Sequence, residues 1–327
     1  MRLSVSVPMN ITENVNDWRF VLDFARICDE AGVDRIVAPD HVVFGERLEA
    51  YSNPQMGGVA NGSQPTGSDG NYFEPMSLLA SISAVTQNVR LGTNILLAAL
   101  RRPIVLAKAA ATIDVISDGR LDLGVGVGWQ QEEYEAAGLN FKQRGRLLDH
   151  TLEICQLLWS EVRADYASPE LKFSDIHSMP KPLQAGGVPI WCGGRANANV
   201  ARRIARYGHG WITWDINADA MAGSITRMRD LVESEGGSDQ PFPVQVGLFV
   251  DNDEQGKPNF PKTLESIPKL ADAGVTDVTL YRLRPPLNID GTTEVIGTLV
   301  SNFREAAGIE RASGSKTDTS MAHTVGQ

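Results

Sequence analysis

The most chemically suggestive residues stand together in Ala38-Pro39-Asp40-His41, where a carboxylate and an imidazole directly follow the short run Arg35-Ile36-Val37-Ala38. An imidazole at a strand end can act as a general acid or donate a hydrogen bond to a carbonyl or alcohol oxygen. The plainer alternative is that Asp40 caps the loop and His41 packs. The other four histidines lack that setting: His150 falls in a predicted helix, His177 in an insertion, His209 just before a strand and His323 in the tail.

Two glycine features follow. Gly124-Val125-Gly126-Val127-Gly128-Trp129 alternates glycine along one strand face, which removes side chains there and lets a flat ring lie against the backbone. It is not the G-x-G-x-x-G of a dinucleotide fold, and close barrel packing is its alternative. In Ile190-Trp191-Cys192-Gly193-Gly194-Arg195-Ala196-Asn197 a strand is expected to run into a helix through Gly-Gly-Arg. Free N–H groups at a helix start plus a guanidinium make a phosphate site, with a simple turn as the alternative. Arg282 and Arg284, after the last predicted strand, stand where they could close in from the other side.

Other chemistries find little support. A Schiff-base enzyme needs a lysine at a strand end, and the lysines are expected in helices or loops. One histidine beside Asp40 makes no metal cluster, and pairing Asp40 with Glu132 or Glu133 as glycosidase carboxylates has nothing further behind it. Cys28, Cys155 and Cys192 are few, odd in number and far apart, which fits neither a disulfide framework nor zinc. Across 327 residues, 30 basic side chains face 40 acidic ones, a net charge of −10, which argues against a general grip on nucleic acid or anionic membrane. The first residues alternate rather than form a signal peptide, and no apolar run reaches the ~18 residues of a membrane helix. A soluble, cytoplasmic protein with 42% apolar residues and a sizeable core is expected.

The elements that must position these residues alternate strand and helix. Strands are expected at 3–7, 35–38, 89–93, 121–127, 188–192, 210–214, 244–250 and 275–281, and helices at 17–31, 75–87, 103–117, 146–159, 197–207, 218–234, 261–273 and 293–307. Eight of each in alternation is the signature of an α/β fold of the (β/α)8 TIM barrel type, with a doubly wound open sheet as the alternative. Segments 41–74, 161–188 and 312–327 look like additions. Setting them aside leaves about 250 residues, the size of a plain barrel. One domain over 1–311 is expected, with 41–74 as a lid or binding loop and 312–327 as a disordered tail.

These residues resemble a known family. Arg90-Leu91-Gly92-Thr93-Asn94-Ile95, Pro103-Ile104-Val105-Leu106-Ala107-Lys108, Ile113 to Arg120 and Gly124 to Trp129 are similar to the bacterial luciferase-like monooxygenase superfamily, and more narrowly to its actinobacterial branch that uses the deazaflavin coenzyme F-420. The likeness runs from the first strand through the last helix and is most specific over 90–160. It implies a barrel with insertions and a tricyclic ring in its mouth, the phosphate tail lying near Gly193, Gly194 and Arg195. It also implies a bulge on the third strand, often with a non-prolyl cis peptide, at Asn94-Ile95. Asp40 is implied to touch the cofactor, His41 to face substrate as proton donor or acceptor, and Val127 and Gly128 to line the ring. Trp129 stands where some alcohol-oxidising relatives carry a glutamate, which disfavours their route and puts Trp129 beside substrate. Trp214-Asp215-Ile216-Asn217 stands where close relatives place a phosphate-binding lysine, so charge on the tail falls to Arg195 or Arg282.

The resemblance therefore implies hydride transfer between the deazaflavin and a carbonyl, imine, activated alkene or alcohol, without a metal, by an enzyme that is commonly a homodimer. The alternatives are a reduced-FMN monooxygenase with a separate reductase, a non-catalytic flavin-binding barrel, and a sugar-phosphate barrel.

Overall fold

Parallel pairing buries both faces of a strand, so it suits short apolar runs separated by helices. The chain supplies eight: β1 (Arg2–Ser6), β2 (Arg35–Ala38), β3 (Arg90–Thr93), β4 (Leu121–Val125), β7 (Ile190–Gly194), β8 (Gly210–Thr213), β9 (Val244–Phe249) and β10 (Asp277–Tyr281). In the computed structural model, which describes residues 1–8, 18–53 and 67–309, they close in the order β1-β10-β9-β8-β7-β4-β3-β2, every pair parallel. This is the expected (β/α)8 barrel.

Ten helices are assigned among the described residues: α1 (Arg19–Ala31), α2 (Pro75–Ser83), α3 (Pro103–Ile116), α4 (Gln131–Ala136), α5 (Arg144–Ser160), α6 (Ala198–Tyr207), α7 (Met221–Ser234), α8 (Phe260–Thr263), α9 (Ile267–Asp272) and α10 (Ile289–Ala306). Local chemistry explains their ends. Proline opens α2 and α3 where no N–H is needed, and Asn197 and Asn288 accept the first free N–H groups of α6 and α10. Gly32, at φ 81°, closes α1 in the left-handed conformation that glycine adopts without steric cost.

Several boundaries differ from expectation. The helix expected to reach 87 stops at Ser83, because Thr86 turns its hydroxyl back onto the Ile82 carbonyl while the Asp29 carboxylate collects the N–H groups of Gln87, Asn88 and Val89. The single helix expected over 261–273 is split into α8 and α9, with Pro268 in the first turn of the second. The insertion at 161–188 holds an antiparallel hairpin outside the barrel, β5 (Ala164–Ala167) and β6 (Lys172–Ile176), with Tyr166 stacked on Phe173. Lys172 is thus a strand residue, though not at the barrel mouth. Position 17, part of the 41–74 loop (54–66) and the whole 312–327 tail lie outside the described residues.

At the N-terminal end of the barrel, side chains from seven strands seal the interior. Arg35 donates to Asp122 (2.8 Å), Asp277 (3.2 Å) and the Gln245 amide (3.1 Å), and lies 4.7 Å from the centre of the Trp191 ring. Arg90 holds Asp122 from one side and Arg2 holds Asp277 from the other. A side chain at Gly92 would press on the Arg35 stem, so glycine makes room for it.

Candidate active site

The opposite end of the barrel gathers the residues singled out in the sequence. His41 follows β2 and is built into a network. Its Nδ1 lies 3.2 Å from Oε2 of Glu133, whose Oε1 accepts the Val42 N–H at 2.9 Å; its Nε2 lies 2.7 Å from the Tyr51 hydroxyl. Four aromatic rings wall the imidazole, Phe44 with its centre at 4.4 Å, Tyr72 at 5.5 Å, Trp129 at 5.8 Å and Tyr51 at 6.0 Å. Only 10% of the His41 side chain and 1% of the Glu133 side chain reach solvent.

Tyr51 and Tyr72 are weak acids here. Burial pushes both phenols up, helped at Tyr51 by the charge of Glu133 and at Tyr72 by Tyr51, Asp40 and Glu133. The network is fastened to the start of the 41–74 segment. Gln130 donates to the Gly45 and Arg47 carbonyls, and Arg47 pairs with Glu132 at 2.5 Å. Gly45 lies so close to the Glu132 side chain that a Cβ would overlap it. The described first part of the expected lid is therefore tied to the β4–α4 connection; the middle of that lid, 54–66, is outside the described residues.

Asp40 is bonded into the scaffold behind the mouth. Its side chain is fully buried, and its carboxylate already accepts from the Leu97 N–H (2.8 Å) and twice from Arg101 (2.6 and 3.1 Å). These bonds fix the β2 loop to the segment after β3. Arg101 extends the tie to Glu74, whose other oxygen caps α2.

The glycines are closely packed, as the alternative reading has it. The space beside Gly124 is filled by the Thr93 carbonyl and Ile212, that beside Gly126 by Ile95, and that beside Gly128 by Leu97. They admit neighbouring chain instead of leaving a bare face for a ring. Ile95 gains most: a Cβ at Gly126 would stand 2.0 Å from its Cδ1, and one at Gly193 would stand 2.9 Å from its Cγ2. The Asn94-Ile95 peptide is cis, and Ile95 is left partly exposed, an apolar step standing on two glycines. Asn94 is buried against the Tyr281 hydroxyl, and its Nδ2 makes no well-formed hydrogen bond among the described residues.

At Gly193-Gly194-Arg195 the strand end differs from expectation. Gly193 and Gly194 are the last residues of β7, two positions beyond the expected end, because both pair with β8 and the Gly194 carbonyl accepts the Trp211 indole at 2.8 Å. The first N–H groups of α6 are taken by Asn197, and Arg195 stands 3.4 Å from Asp215. Arg282 is exposed, in the left-handed region at φ 61°, over the Phe249 ring.

A cavity of about 360 Å³ opens beside Trp129, with Val127, Gly128, Phe141, Arg144 and Trp214 among its walls. Arg144 stacks 4.0 Å over Phe141 and donates to its carbonyl, while its buried Nε has no hydrogen-bond partner among the described residues. The structure thus joins His41 to Trp129, and Trp129 to Val127 and Gly128, while Ile95 joins Gly126 to Gly193. It ties Arg195 and Arg282 to groups of their own.

Sequence reasoning weighed Glu133 only as a glycosidase carboxylate and passed over Tyr51, Phe44, Tyr72, Arg101 and Arg144. The signal for some of them was present: Phe44, Tyr51 and Tyr72 are among four aromatics in the largely polar 41–74 segment, and large rings are costly to leave in water. Among the described residues no helix is long and apolar enough to cross a membrane, and no group of three or more His, Cys, Asp or Glu side chains could hold a metal ion.

Comparison with known proteins adds to this geometry. Residues 1–256 match the family model described as luciferase-like monooxygenase. An uncharacterised protein of Mycobacterium tuberculosis is 29% identical over 294 residues, covering 89% of this chain and 94% of its own length. Among solved structures, a long-chain alkane monooxygenase superposes with a TM-score of 0.74 at 12% identity, covering 95% of this chain and 92% of the other. An F-420-dependent secondary alcohol dehydrogenase, in complex with an F-420–acetone adduct, superposes with a TM-score of 0.71 at 12% identity, covering 93% and 99%. At such identities the structural likeness speaks for the fold alone.

Proposed function

The chain belongs to the luciferase-like monooxygenase family of oxidoreductases, and we propose that within it this protein transfers a hydride between the deazaflavin coenzyme F-420 and a small carbonyl, imine, activated alkene or alcohol. The observation that carries the reading is the Glu133–His41–Tyr51 chain at the mouth. A hydride added to or removed from an oxygen-bearing carbon must be matched by a proton on the oxygen, and a buried, oriented imidazole with a phenol is built for that proton.

The residues present fit a planar cofactor with an anionic tail. Ile95, held up by Gly126 and Gly193, offers apolar support for a ring, beside Asn94, whose Nδ2 has no well-formed partner. Val127, Gly128 and Trp129 form one wall of the adjoining cavity, and Arg144 brings to it a guanidinium with a free Nε. We assign the tail to Arg144, with Arg195 and Arg282 as outer contacts. When bound, the deazaflavin supplies a hydride-accepting or hydride-donating carbon; the chain supplies orientation, water exclusion and the proton. His41, oriented by Glu133, takes up or returns that proton at Nε2 during turnover, and the aromatic wall keeps water from it. A homodimer in the cytoplasm is part of the same proposal, to be tested by light scattering and by fractionation.

The test is a side-by-side fluorescence titration of the purified protein with oxidised coenzyme F-420 and with FMN. Binding of the deazaflavin at or below about 1 µM, roughly 8 kcal/mol, with much weaker FMN binding is the expected result and justifies a carbonyl and alkene substrate screen. The reverse preference turns the reading into a monooxygenase fed by a separate reductase. Binding of neither overturns the assignment of the barrel mouth.

A further inference from the structure

We propose that the acid–base group this site presents to a bound substrate is the hydroxyl of Tyr51, that His41 stands behind it as the proton acceptor, and that Glu133 is a positioning residue that sets the imidazole tautomer. The role in turnover rests on the oxidoreductase reading above; the hydrogen-bond arrangement does not.

Both ring nitrogens of His41 are engaged. A carboxylate can only accept, and Glu133 already accepts the Val42 N–H on Oε1. The nitrogen facing its Oε2, Nδ1, is therefore the one that carries the proton, and this leaves a lone pair on Nε2. Tyr51, 2.7 Å away, must then donate its O–H to Nε2. A substrate oxygen cannot reach Nε2 without displacing Tyr51, because Phe44, Tyr72 and Trp129 occupy the other sides of the ring. Tyr51 itself is partly exposed, and its oxygen keeps lone pairs able to accept a substrate hydroxyl.

The proton step balances without any other group. As a substrate O–H bond breaks and its proton bonds to the Tyr51 oxygen, the Tyr51 O–H bond breaks and its proton bonds to Nε2. The imidazolium so formed is neutralised by Glu133. Run backwards, the same two transfers deliver a proton to a substrate oxygen. The hydrogen bond to Nε2 gives the proton an acceptor, while burial and the Glu133 charge both disfavour a phenolate at Tyr51. Tyr72 touches the imidazole edge-on, without a hydrogen bond to it, so it is wall and not relay.

Nitrogen NMR of the ¹⁵N-labelled full chain tests the arrangement without cofactor or substrate, the His41 signals being identified by their loss in His41→Gln. The expected spectrum has a protonated Nδ1 and a bare, hydrogen-bonded Nε2. Glu133→Gln should let the tautomers mix, while Tyr51→Phe should keep the tautomer and move only the Nε2 signal. A proton found on Nε2 in the unaltered protein overturns the proposal.

Labelling with diethyl pyrocarbonate, read by peptide mass spectrometry, gives a second readout. His41 should react about fivefold to tenfold faster in Tyr51→Phe, the cost of opening one hydrogen bond having gone. His150 and His177 serve as unchanged references. Equal rates at His41 would mean that the imidazole meets the pocket directly, and the proposal fails.

In the cofactor-loaded enzyme, with a substrate from the screen, Tyr51→Phe should lower kcat by roughly 10²-fold or more and leave cofactor affinity within about twofold. Full turnover by Tyr51→Phe overturns the relay. Should the spectrum and the labelling come out as expected while neither cofactor binds, the relay stands and the cofactor reading is what falls.

Discussion

The two ends of the barrel use the same residue types for opposite ends. At the N-terminal end, Arg35, Asp122 and Asp277 are buried and multiply bonded, every charge facing an opposite one, and they plug the barrel. At the C-terminal end, Asp40 and Arg101 repeat that pairing, but elsewhere in the mouth Tyr51 keeps acceptor lone pairs and Arg144 an Nε without a partner among the described residues. Buried charge is thus not itself a mark of function in this molecule. What separates the mouth from the plug is polar capacity left unspent beside a cavity.

The sharpest way to break this contrast is to remove one charge from the plug. Burial alone would raise the Asp122 carboxyl, but hydrogen bonds from Arg90 and Arg35 and their charges outweigh it and hold it below its usual range. Asp122→Asn leaves Arg35 buried with only Asp277 and Gln245, and should cost about 3–5 kcal/mol in urea unfolding. A carboxyl held low in the folded state stabilises above the unfolded value of 3.8 and loses that contribution as pH falls through the folded value. The unaltered protein should accordingly lose stability in acid, and Asp122→Asn should show a shallower slope there. Deazaflavin affinity, measured where both proteins remain folded, should stay within about twofold. A large loss of affinity with little loss of stability would mean that the plug is part of the site.

At the mouth the expectation is reversed. Gly126→Ala drives a methyl into Ile95 Cδ1, which must swing away from its seat. The overpacking should cost about 1–2 kcal/mol of stability, while cofactor affinity falls about tenfold as the apolar step moves. Gly193→Ala should act in the same direction, because it meets Ile95 from the other side along with the Val125 carbonyl. If either variant binds as well as the unaltered protein, Ile95 does not support the ring.

How much of this could be read in advance followed the same division. Strand and helix alternation depends on local apolar periodicity, so the barrel strands came out within a few residues of their places, and His41 and Trp129 were placed at the mouth. What escaped needed three-dimensional knowledge. The β5–β6 hairpin is solvated and short of apolar residues, so it carries no strong period. The two residues added to the end of β7 depend on pairing with β8, a partner that local sequence does not reveal. Glu133 lies 92 residues from His41 in the chain, and no spacing rule connects them. The free Nε of Arg144 is a property of what surrounds it, invisible to a count of charges.

The two histidines at opposite ends give the smallest test. His209, before β8, is held below its ordinary value by burial first, against the attraction of Asp122, and then by the cations Arg2, Arg35 and Arg90. The folded protein therefore binds fewer protons here than the unfolded chain once pH drops below about 6.5. Stability must rise with pH through that window, so falling pH removes it. Because His209 is partly open to solvent, the effect should stay below about 1 kcal/mol. His209→Gln should flatten the stability profile between roughly pH 7 and pH 5 and leave labelling of His41 unchanged. A change at His41 would show that the plug and the mouth communicate through the barrel, and the separation of stability from chemistry between its two ends would have to be given up.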